Sequence, residues 1–169
     1  MGLYVVAALL LTFALALLTM AMKHKSLLDP DVERELLERL DKLTPATKAR
    51  WGRMSVDQML HHLSGGLQMA TGDLAIPARK SPLRLFPIKQ SIVFVLPFPK
   101  GAPTAPALVA RDKFNFDSER EAVSGFLNSF AKREIPSWPD HPAFGPLTRD
   151  QWGVMVWKHT DHHLRQFGV

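Results

Sequence analysis

Residues 157–168 read WKHTDHHLRQFG, which places His159, His162 and His163 within five positions. A neutral imidazole keeps one ring nitrogen free to ligate a metal or accept a proton, so what matters is where the rings point. At about 100° per residue with Trp152 at zero, Met155, Val156, His159, His163, Gln166 and Phe167 fall within about 60° of one direction. His159 and His163 lie within about 20° of that stripe's centre, one turn apart, while His162 falls about 80° away, at the edge. Histidines at i and i+4 are a standard way for one helix to supply two metal ligands. If they were not ligands, each would need its own buried hydrogen-bond partner on an otherwise apolar face. Thr160 follows His159, so the pattern H-E-x-x-H is absent and no general base comes with the pair.

A third ligand must come from elsewhere. His61 and His62 lie in a segment whose apolar stripe is Val56, Met59, Leu60, Leu63, Leu67 and Ala70. His62 projects about 110° from the centre of that stripe and His61 about 150°. His62 is therefore the inward candidate, flanking Met59, Met69 and Gly66, and His61 is the solvated one. His141, in HPAFGP, could be a fourth ligand, an acid/base group or a loop cap, and the loop cap is the plainer reading. Trp51, Trp138, Trp152 and Trp157 read as packing residues rather than a cofactor box. No catalytic residue is identified by spacing.

Four helices would carry these groups. Asp29-Pro30 opens the first, with Asp as N-cap and Pro at the first helical position. Val32, Leu36, Leu37, Leu40 and Leu43 form its stripe, and Thr44-Pro45 ends it. Ser55 with Gln58 is a capping box for a helix running to about Gly72. Asp117 or Ser118 caps a third helix, with Ala122, Val123, Phe126, Leu127 and Phe130 on one face. Thr148 with Gln151 is a second capping box, opening the histidine-bearing helix. Between them, SIVFVL (91–96) fits helix or strand, and PFPKGAPTAP (97–106) is irregular on its prolines. Amphipathic helices without strand alternation predict an all-α four-helix bundle.

The chain has 169 residues, 46% of them apolar and 22% charged, which suits one domain with a core. It has no cysteine, which excludes disulfides, thiolate ligands and a cysteine nucleophile. The net charge is +5. The bases are scattered without interleaved stacking aromatics, which argues against nucleic acid as a partner. Residues 3–22, LYVVAALLLTFALALLTMAM, carry no charge. As a helix they would be about 30 Å long, the thickness of a bilayer's hydrocarbon core. The segment predicts a transmembrane anchor over 1–25, in contact with membrane lipid, ahead of a helical domain over 26–169. A cleaved signal peptide is the rival, with only Thr19-Met20-Ala21 as a weak cleavage site. Lys23 and Lys25 after the span would place the domain of this single-pass membrane protein in the cytoplasm.

The pairing of SVDQMLHHL with a later H-x-x-x-H resembles the DinB/YfiT-like superfamily of metal-binding four-helix bundles. PFPKGAPTAP, HPAFGPLT (141–148) and KHTDHHLRQFG (158–168) are similar to an uncharacterised branch known only as a domain of unknown function. The likeness covers roughly residues 30–169 and leaves out the apolar N-terminus. It implies a divalent metal, zinc or nickel, on His62, His159 and His163. Some relatives are thiol-dependent S-transferases or isomerases. Others hold the iron of a sulfoxide synthase through a pattern that adds a Glu two residues after the second His; Arg165 stands there in this chain. The expectation is a metal-dependent enzyme, a transferase using a small-molecule thiol or a hydrolase. The alternative is a non-catalytic, membrane-tethered metal-binding module.

Overall fold

The structure is a computed structural model and describes residues 4–6, 8, 10, 11, 13, 14 and 24–169. Its long elements are four helices: α1 (Pro30–Leu40), α2 (Val56–Thr71), α3 (Phe116–Phe130) and α4 (Arg149–Gln166). All four starts follow from local chemistry, three of them at the caps the sequence marks. Asp29 accepts a hydrogen bond from the Asp31 amide ahead of Pro30, and reciprocal capping boxes open α2 (Ser55, Gln58) and α4 (Thr148, Gln151). The third start differs from the sequence expectation. Asn115 is the cap, its side chain accepting from the Ser118 amide at 2.9 Å, so α3 begins ahead of Asp117. Asn is as good a cap as Asp or Ser, and the nearer acidic residue lies inside the first turn.

The four helices pack as a bundle in which α1 and α2, though consecutive, are not neighbours in space. α1 touches α3 and α4, and α2 touches the same two, so α1 and α2 lie diagonally across the core. Each helix contributes a buried stripe: Leu36 and Leu40 from α1, Met59, Leu60 and Leu63 from α2, Val123, Leu127 and Phe130 from α3, Trp152 and Leu164 from α4. Ala122, assigned to the inward face of α3 by the sequence pattern, is exposed. The chain entering α1 crosses α4 at Gly153: Leu27 is wholly buried and its amide donates to the Gly153 carbonyl at 3.0 Å. A Cβ at Gly153 would overlap Ser26 and Leu28, so a residue without a side chain is what allows this crossing.

Residues 91–96 are not a strand. A short helical turn, Ile88–Gln90, continues into a π-helical turn, Ser91–Val95. Lys158 from α4 reaches this segment and donates to the carbonyls of Ile92 at 2.6 Å and Val93 at 3.0 Å. The segment is thereby held against α4, and the chain leaving it carries Phe98 back toward the histidines.

The membrane expectation is corrected. Residues 3–22 lie largely outside the described residues, and among the described residues no helix is long and apolar enough to cross a membrane. An uncharged run fixes hydropathy alone, whereas a span needs about 20 apolar residues in one helix. The single-pass anchor over 1–25 is therefore unsupported, and the positive-inside argument for a cytoplasmic domain has no span to orient. The all-helical character of the chain holds among the described residues.

Candidate metal centre

His62 on α2 meets His159 and His163 on α4, where the two helices pack together. One ring nitrogen from each lies within 4.8 Å of the others. His62 and His163 are buried, and His159 is partly so. The wheel underrated His62 because α2 packs on two sides at once, against α3 and α4, and its buried arc is wider than its apolar stripe.

The hydrogen bonds behind the rings decide which nitrogens face inward. His62 Nδ1 lies 2.9 Å from the Leu108 carbonyl and must donate to it, which leaves Nε2 with a lone pair. His163 Nδ1 lies 2.8 Å from Gln166 Oε1. The Gln166 amide is itself oriented, since its Nε2 donates to the Trp51 carbonyl at 2.7 Å and Oε1 must then face the ring. His163 therefore also donates through Nδ1 and keeps Nε2 free. A backbone or amide acceptor behind a ligating histidine is the arrangement that fixes its tautomer in metal sites.

His62 Nε2 lies 3.0 Å from His159 Nε2. With the proton of His62 committed to Leu108, the proton in that contact belongs to His159, and a cation between the rings would displace it. At Zn–N bonds of about 2.0–2.1 Å, tetrahedral nitrogens stand about 3.3 Å apart, so the cluster fits a divalent ion after modest side-chain rotation. Gly66 makes the approach feasible. A Cβ there would lie 2.9 Å from His159 Cε1 and 3.1 Å from its Nδ1. Gly66 flanks His62 in sequence, but the ring it admits is that of His159.

Electrostatics keeps the rings neutral. Burial lowers the His62 pKa, and burial followed by the neighbouring imidazoles holds His159 well below the ordinary value of 6.5. Burial, then His62, takes His163 to about 3. Neutral imidazole is the form that ligates.

The other histidines have different duties. His61 is exposed, stacks on Phe114 at 3.8 Å and contacts Glu119 Oε1 at 2.9 Å through Nδ1. His141 caps its own turn, Nδ1 accepting from the amides of Ala143 at 3.1 Å and Phe144 at 3.3 Å. His162 sits between Trp51 and Phe98, with its ring 5.1 Å from that of His163.

Beside the cluster lies a cleft of about 400 Å³ whose walls include Trp51, Phe98, Trp157 and His162. Phe98 stands 6.3 Å from the His159 ring, so one aromatic wall separates cleft and cluster. Sequence reading missed Phe98, because it lies in a proline-rich stretch without periodicity. It also missed the roles of Leu108 and Trp51, which act through backbone carbonyls. Gln166 was detectable, three residues after His163 on the inward face.

No curated protein and no solved structure matches the chain. A family model, DUF1569, a protein family of unknown function, matches residues 22–168. That match spans both histidine-bearing helices, and the chain belongs to the DUF1569 family.

Proposed function

We propose that this protein is a divalent-metal-dependent enzyme with a DinB-like helical bundle, its zinc or nickel held by His62, His159 and His163. The observation that carries the reading is the convergence of three ring nitrogens, two of them with lone pairs aimed by hydrogen bonds at Nδ1. His141 is engaged in its own turn. Three neutral protein ligands leave coordination positions open, as catalytic sites do and closed structural sites do not. A divalent ion held there supplies Lewis-acid activation of a nucleophile near neutral pH.

The chain's own residues bind and orient. Leu108 and Gln166 fix the ligand tautomers, Phe98 shields the cluster, and the adjoining cleft gives substrate a place beside it. The chain has no cysteine, so a thiol nucleophile must arrive as a small-molecule cosubstrate. Two reaction classes fit: transfer of a small thiol to an electrophile, and metal-assisted hydrolysis.

The test is a paired screen of zinc- and nickel-loaded protein, for thiol conjugation to electrophilic acceptors and for ester or amide hydrolysis. The His159→Ala variant is the control in both. Turnover that vanishes in the variant supports the enzyme. Stoichiometric metal with no turnover in either screen would favour the non-catalytic metal-binding module.

A further inference from the structure

We infer that the cleft beside the histidine cluster binds a small organic carboxylate with an apolar, preferably aromatic, body. Three features of the cleft point the same way. Its floor and sides are aromatic, with Trp51, Phe94, Phe98 and Trp157 among the lining residues. At about 400 Å³ it lies within the range of small-molecule sites, about 300–1,000 Å³. An apolar body would be desolvated against these rings.

The charge around the cleft is one-sided. Lys25, Lys100, Lys158 and Arg165 reach it, against one carboxylate, Asp161. Lys25 is neutralised by Glu35 at 2.6 Å, and Asp161 is held by Arg39 at 2.8 Å. Arg165 has only a longer share of Asp161, at 3.7 Å. Lys158 binds two neutral carbonyls, which leave its charge uncompensated. Lys100 has no carboxylate partner among the described residues, and its ammonium stands 4.5 Å over the Trp51 ring. An anion in this cleft meets opposite charge on more than one side, and a cation would be repelled.

The walls also hold spare donors. The indole Nε1–H groups of Trp51 and Trp157 are buried and have no acceptor among the described residues. A buried N–H without an acceptor is costly and rare, and an acceptor oxygen of a ligand satisfies it. A carboxylate supplies two such oxygens together with the negative charge. Its head belongs between Lys100 and Arg165 and its body along Phe98 and Trp157, which points the far end toward His162 and the cluster. That this ligand is the substrate rests on the metal-enzyme reading above; the binding chemistry of the cleft does not.

The test is calorimetric titration of the full chain with 4-phenylbutyrate and with its neutral isostere 4-phenylbutyramide. Saturable binding of the acid is expected, with the amide weaker by about tenfold or more, the scale of a charge-assisted hydrogen bond. Lys100→Gln with Arg165→Gln should reduce the acid's affinity by about tenfold or more and leave the amide unchanged. Both side chains are exposed, so the fold is not at risk, and Lys48→Gln, outside the cleft, is the control. The same titration on the triple His62→Ala, His159→Ala, His163→Ala variant separates the two claims. Acid binding that persists there upholds the cleft whatever becomes of the metal. Equal binding of acid and amide, or no effect of the double substitution, overturns the inference even if zinc binds.

Discussion

At the scale of single residues, each histidine has a separable role, and substitution should sort them. His62→Ala, His159→Ala and His163→Ala should each abolish stoichiometric metal. His61→Ala and His141→Ala should not, since one ring stacks on Phe114 and the other caps a turn. Metal content after dialysis checks this set. Gln166→Ala removes the acceptor that fixes the His163 tautomer, and metal affinity should fall by about 10–100-fold, the usual range for a group behind a ligand. Gly66→Ala tests packing. In an exposed helix interior the change would stabilise by about 0.8–1.0 kcal/mol. Here the new Cβ meets His159 at 2.9 Å, so metal affinity should drop while helical content, read by circular dichroism, does not. The sequence revealed the i, i+4 pair and the choice of His62 over His61 because those depend on helical phase alone. It could not reveal what stands behind each ring, because Leu108 and Trp51 act through carbonyls that every residue possesses.

At the scale of elements, helix starts were readable wherever a cap and its reciprocal partner lie within one turn, as at Ser55/Gln58 and Thr148/Gln151. The segment 91–95 was ambiguous because its conformation is decided from outside, by the Lys158 ammonium of α4, which takes up carbonyls that the segment's own sequence leaves open. Lys158 joins α4 to both the Ile92 and Val93 carbonyls. Burial lowers its pKa to about 8, yet it stays a donor in either protonation state. Lys158→Met should cost about 1–3 kcal/mol, because the two carbonyls lose their partner while the methylene stem is roughly replaced. Urea unfolding measures that loss. A second consequence is local: Phe98, carried on the chain just after this segment, should become mobile, visible as faster exchange of the amides around 92–98.

At the scale of the whole molecule, the bundle has a core independent of the metal centre. Leu36, Leu40, Leu127 and Phe130 are fully buried away from the ligand set, so the metal-free chain should remain folded. Its stability should depend on pH through its buried histidines, among them His141, whose pKa burial, helped by Arg84 and Lys89, lowers from 6.5 to about 4. Between those values the unfolded chain binds more protons than the folded one. Stability is therefore full above about pH 6.5 and falls as pH drops toward about 4. His141→Gln should reduce that slope without removing it, since His62, His159 and His163 are also held low by burial, and urea midpoints across the interval would show the change. The apolar run at 3–22 marks where composition misled: hydropathy predicts a span, and among the described residues no helix supplies one.

The central claim is that His62, His159 and His163 hold one divalent ion. Equilibrium dialysis of the full chain against buffered zinc, beside the triple alanine variant, tests it most directly. The account predicts one ion per wild-type chain, none in the variant, and the same helical circular dichroism for both. Wild-type protein that takes up no zinc or nickel, or a triple variant that binds as much as wild type, would contradict it.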